Sequence, residues 1–165
     1  PEDEFFNRFG AMAQMSPFLP LIGGGKTKFQ PVFVGDVARA IKAAVDGKAK
    51  PGTIYELGGP EVLTFRALLE RTMQYAGRER RFLRLPFWLA KLQAILTSVL
   101  PNSLRPITLD QVRMLKKDNV VSAAAIADGR TLAGLGISNP NSIEAVVPAY
   151  MERFKPKGQY AHYRG

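Results

Sequence analysis

"PLIGGGKTKFQPVFVGDVARAI", residues 20–41, allows two incompatible readings. Three glycines followed by Lys26 and Thr27 suggest a phosphate-binding loop, whose pattern is G-x-x-x-x-G-K-[ST]. With Gly25, Lys26 and Thr27 in its last three places, the first glycine falls at position 20, which is Pro20. Such a loop must also open a helix, because helical N–H groups and the helix dipole hold the anion. Here the glycines run instead into residues 29–34, β-branched and aromatic and interrupted by Pro31. Both requirements fail. The segment therefore predicts a glycine turn between two short strands, the second an edge or bulged strand because Pro31 lacks an N–H. Asp36 is the expected N-cap of a helix over VARAIKAAV, which ends near Gly47.

Outward from this segment, DEFFNRFGAMAQM (residues 3–15) places Phe5, Phe6, Phe9 and Met12 on one helical stripe, stopped by Pro17 and Pro20. Pro51-Gly52 turns into TIYEL (residues 53–57), read as a strand, and Gly58-Gly59-Pro60 turns again. Thr64 caps FRALLERTMQYA, which Gly77 ends. A basic stretch, GRERRFLRL, leads through Pro86 into the apolar FWLAKLQAILTSVL. Thr108 and Gln111 form a capping-box signature for LDQVRMLKK. Helices follow at about 122–127 and from about Ser142, with Pro148 expected to kink or restart the last one.

Composition narrows the chemistry. The 165 residues include no cysteine and one histidine, His162, which argues against a thiolate, a disulfide scaffold or a histidine-rich metal site. No residue is assigned as catalytic or metal-ligating. A dinucleotide fingerprint starting at Gly23 or Gly134 would need glycine at positions occupied by Lys28 and Asn139. A Tyr-x-x-x-Lys pair is missing too: Tyr55, Tyr75, Tyr150 and Tyr160 are followed four residues on by Gly59, Glu79, Phe154 and Arg164.

The formal net charge of +9 is concentrated. Between residues 66 and 91, Arg66, Arg71, Arg78, Arg80, Arg81, Arg84 and Lys91 stand against Glu70 and Glu79. Next to them Trp88, Leu92, Ile95, Leu96 and Val99 share a helical face, too short to span a bilayer. Core or interdomain packing and insertion into a membrane interface both fit that face, with Lys91 and Ser98 on another, and the charge fits an ordinary solvated face as well; Arg78, Arg80, Arg81, Arg84 and Trp88 mark a candidate surface for an acidic partner or an anionic membrane. Without a helix-turn-helix, zinc or RNA-recognition pattern, no nucleic-acid partner is expected.

Four segments together resemble the extended short-chain dehydrogenase/reductases over nearly the whole chain. KFQPVFVGDVARAI is similar to their late PV-x-V-x-DVA-x-AI element, and GTIYELGGPEVLTFRALLERTMQYAGR to the strand, turn and helix that follow. PFWLAKLQAIL, LTSVLP, ITLDQVRMLKKDNVVS and LAGLGI resemble the branch of nucleotide-binding complex I accessory subunits and their bacterial epimerase/dehydratase-like relatives. PEDEFFNRFGAMA resembles the stretch just after the sixth sheet strand of that family.

The resemblance implies an α/β, helix-rich, substrate-side C-terminal lobe of a Rossmann-type protein with a few short strands. It implies one lobe over 1–165 with a sub-boundary near 101–107, and NAD(P) bound only by an intact parent. The family's glycine-rich loop and Tyr-x-x-x-Lys lie in an N-terminal half unmatched here, so the chain, opening Pro-Glu-Asp-Glu without Met or signal pattern, reads as a piece of a longer protein. By the same resemblance Pro1 and Glu2 neighbour the cofactor, while Gln30, Pro31 and Val32 border the substrate cleft. Expected partners are a respiratory-chain complex on the bacterial cytoplasmic or mitochondrial matrix side, peripheral to the inner membrane. The edge of residues 53–57 is expected to pair with a second copy. An active NAD(P)-dependent epimerase or reductase is the alternative, distinguished by Tyr-x-x-x-Lys in the parent.

Overall fold

The computed structural model describes residues 3–97 and 109–156, a helix-rich α/β arrangement with a few short strands. Pro1, Glu2, Thr108, His162 and the expected sub-boundary near 101–107 lie outside the described residues. Within the expected span of 1–165, contacts group the chain into two compact units. The first comprises Pro1–Lys28, Thr64–Asp118 and Pro148–Gly165, and the second Phe29–Leu63 and Asn119–Val147.

The first unit starts with helix α1 (Glu4–Met15), capped by Asp3, whose carboxylate accepts from the N–H groups of Phe5 and Phe6. Phe5 and Phe9 meet Phe65 edge-on, with ring centroids 6.0 and 5.7 Å away. Gly10 is buried where a Cβ would come 2.9 Å from the Phe154 ring, so that position admits glycine alone without repacking. Strand β1 (Phe18–Ile22) pairs in parallel with β4 (Arg81–Leu85), Phe18 opposite Arg81 and Ile22 opposite Leu85. Leu19, Leu21 and Ile22 of β1 are buried, and Leu19 joins Ala13 and Met73 in a core cluster. Helix α3 (Phe65–Tyr75) buries Phe65, Leu68, Leu69, Thr72 and Met73, and its N-cap is Thr64, as its sequence predicts. Helices α4 (Phe87–Leu96) and α5 (Leu109–Met114) pack against each other.

The second unit contains α2 (Val34–Val45) and α6 (Ala123–Ala127), the latter N-capped by Ser122. Ala40 and Ala43 of α2 form a core with Leu132, Leu135 and Ile137, and Val32, Tyr55 and Leu57 pack on it. Helix α7 (Ile143–Met151) runs from the second unit into the first, with Pro148 inside a single continuous element. The remaining short strands, β2 (Lys28–Phe29) and β3 (Leu63–Thr64), lie where the chain crosses between units.

Four expectations are corrected. The strand expected over KFQPVFV is two residues long; beyond it the backbone stays outside any ladder around Pro31, which has no N–H to give. Residues 53–57 form no strand among the described residues: the Glu56 N–H donates to Arg130 O (3.0 Å), an isolated bond. Asp36 is not the cap of α2. The helix begins at Val34 after Phe33, and Asp36 sits in its first turn, buried. RFLRL, read only as basic, is strand β4.

The glycine turn is where the sequence puts it. Gly23, Gly24 and Gly25 follow β1 with φ of 59°, 72° and 71°, left-handed values that favour glycine. A Cβ on Gly23 would come 2.3 Å from the Phe87 ring. The glycines therefore turn the chain and leave room for the first residue of α4.

Candidate functional site

The sequence singles out two places, one in each unit. In the first unit, α4 is held by its inner side. Phe87 fills the space left by Gly23, Ala90 and Ala94 are buried, and the Lys116 ammonium lies 5.9 Å from the Phe87 ring centroid. At 3.6 residues per turn, Trp88, Leu92, Ile95 and Leu96 fall on the opposite side, with Lys91 between that stripe and the packed side. The stripe is exposed: Trp88 by 68%, Leu92 by 45%, Ile95 by 47% and Leu96 by 68%. Of the roles the sequence left open for this face, packing into the core of its own unit does not occur, which leaves interdomain packing and a membrane interface. Small alanines make the buried contact and the large apolar side chains face outward.

The five patch residues separate into two groups. Arg78 and Arg80 are half-buried and spent on carbonyls: Arg78 Nε donates to Phe154 O and Arg80 Nε to Ala13 O in the last turn of α1, both at 2.8 Å. They tie the first unit together. Arg81, Arg84 and Trp88 are exposed, and no acidic residue occurs between Arg80 and Thr97. Lys116, beside Phe87 on the inner side of α4, belongs to a turn after α5 where Thr27 Oγ1 donates to Leu115 O and the Lys28 N–H to Asp118 (2.8 Å).

In the second unit, Gln30 lines a cavity of about 280 Å³ with Gly58, Val121, Ile126, Leu132 and Ile137 among its walls. Its amide is partly used: Nε2 donates to Gly59 O (2.8 Å) and Oε1 accepts from the Val121 N–H (3.0 Å). Gln30 thus clamps two loops together. The Pro31 carbonyl stands where a Cβ on Gly59 would lie, 1.9 Å away, so that loop approach requires glycine. Val32 packs on the unit's core. Pro31 and Val32 are not among the cavity's lining residues.

Three side chains have displaced proton affinities, each explained by packing. Asp36 is fully buried, which pushes its pKa up. Bonds from the Asn141 N–H, Arg39 and the Asn141 amide outweigh that and hold it below the ordinary carboxylate value. Glu56 is lowered by the Ser122 N–H (2.7 Å) and hydroxyl (2.9 Å) at the start of α6. Tyr150 is pushed up by burial and by Asp3, to which it is hydrogen-bonded. Among the described residues no group of histidine, cysteine and carboxylate side chains could hold a metal, and no helix is long and apolar enough to cross a membrane.

Sequence reasoning missed Glu56, Asn141 and the inward turn of Arg78 and Arg80. The Glu56–Ser122 and Asp36–Asn141 contacts join residues 66 and 105 positions apart, beyond any local pattern. An Arg followed by an acid-free apolar run gives no sign of which guanidinium meets a carbonyl.

No family model matches the chain. It is 40% identical over 133 residues, 76% of its length, to the NADH dehydrogenase [ubiquinone] 1 alpha subcomplex subunit 9, mitochondrial, of Arabidopsis thaliana, of which it covers 33%. To the protein of the same name in Dictyostelium discoideum it is 32% identical over 79 residues, 46% of this chain and 22% of that protein. The chain thus spans about a third or less of the length of these relatives. Ninety per cent of it also superposes on 42% of the crystal structure of gox2253, with a TM-score of 0.55 and 22% identity, a likeness of fold alone.

Proposed function

We propose that this chain is the substrate-side, C-terminal lobe of a short-chain dehydrogenase/reductase-like protein that serves respiratory complex I as a non-catalytic accessory component. NAD(P) is bound, on this reading, by polypeptide outside these residues. The observation that carries it is the long run of identity with the plant mitochondrial NADH dehydrogenase subunit. Two features of the fold support it. Parallel strands are ordinarily buried on both faces, yet β1–β4 is a two-stranded pair with Phe18 and Leu83 exposed. Residues 53–57, strand-like in sequence, lie outside any ladder. Both are what one lobe of a larger sheet would present, and both also suit pairing with a second copy.

The test is co-purification. A tagged protein carrying this chain, expressed in its native host, is expected to come down with NADH dehydrogenase subunits and to titrate with NADPH only when the longer polypeptide is present. Purification free of any NADH dehydrogenase subunit refutes the accessory role. Stoichiometric NADPH capture by residues 1–165 alone refutes the assignment of the cofactor to other polypeptide. The enzyme alternative is tested by whether the longer polypeptide carries Tyr-x-x-x-Lys; Gln30 spends one N–H and one lone pair of its amide on the two loops and keeps one of each.

A further inference from the structure

We draw no further inference here: the strongest candidate, the cavity of the second unit walled by Gln30, Gly58, Val121, Leu132 and Ile137, belongs to the site already described at Gln30, and nothing in the structure shows what fills it.

Discussion

Replacing Asp36 should unlock the second unit. Its carboxylate is fully buried and accepts three bonds: from Arg39 Nη2 (2.6 Å), from the Asn141 N–H (2.6 Å) and from Asn141 Nδ2 (2.9 Å). Through them the loop before α7 is fastened to the first turn of α2. Breaking a buried charged pair costs about 3–5 kcal/mol when its partner is left stranded. Arg39 is not stranded, because its side chain is 52% exposed and regains water, so its share is screened. The Asn141 N–H loses its acceptor outright, and bonds to a charged group contribute about 1.5–3 kcal/mol each. D36A is therefore expected to cost about 3 kcal/mol and D36N about 2, since an amide keeps one acceptor. The sign of the pH dependence follows from the depressed pKa. The folded state holds the proton less tightly than the unfolded chain, so the contribution is complete above the unfolded carboxylate value and lost as pH falls through the lower folded one. Urea unfolding by circular dichroism, with amide exchange read at Ala40 and Ala43, should show a gap between wild type and D36N that narrows toward acid. A D36A cost below about 1 kcal/mol, or a gap that widens with acid, would refute the account of this latch.

Three further substitutions test the other joints. G23A forces a left-handed backbone on alanine and drives its Cβ into Phe87, for a loss of about 2–4 kcal/mol; F87L should recover part of it in a double-mutant cycle, and simple additivity would disprove the contact. T64A removes the acceptor for the Ala67 N–H (3.1 Å) at the start of α3 and should lower stability by about 1 kcal/mol in thermal unfolding, whereas T64S should not. Q30A deletes a clamp of two bonds and should cost about 2 kcal/mol by denaturation, with Q30E partly retaining the Val121 bond; a fully stable Q30A would free Gln30 for the substrate role its sequence position suggested.

What the sequence discloses and what it hides have a common cause. The α1 stripe, the Thr64 cap and the glycine turn rest on residues within a few positions of each other, and period, cap chemistry and positive φ are local. The failures are all questions of who sits opposite. Residues 53–57 have strand composition, but a strand exists only with a partner, and none of the described chain is laddered to them. The reverse holds for RFLRL, where two arginines in five residues suppress the strand signal and β1 supplies the ladder. Asp36 has the composition of a cap and the position of one nearby, yet Asn141 takes it as an internal anchor.

The outward face of α4 follows from the same logic in its most consequential form. Hydrophobic periodicity identifies a stripe that must leave water, and it is silent about whether the chain itself or something else provides the cover. The distinction lies in the back of the helix. Alanines at 90 and 94 allow close approach to neighbouring chain, and Gly23 opens the space that Phe87 enters, so the packing requirement is met from the small-residue side. Once it is met there, the Trp88–Leu92–Ile95 stripe is surplus to the stability of its unit. Truncating these three side chains to alanine should therefore leave the melting temperature within a degree or so, as surface changes do. Truncating Phe87, one residue from Trp88 in sequence, should cost about 3 kcal/mol or more. A stripe held for stability would give the opposite order.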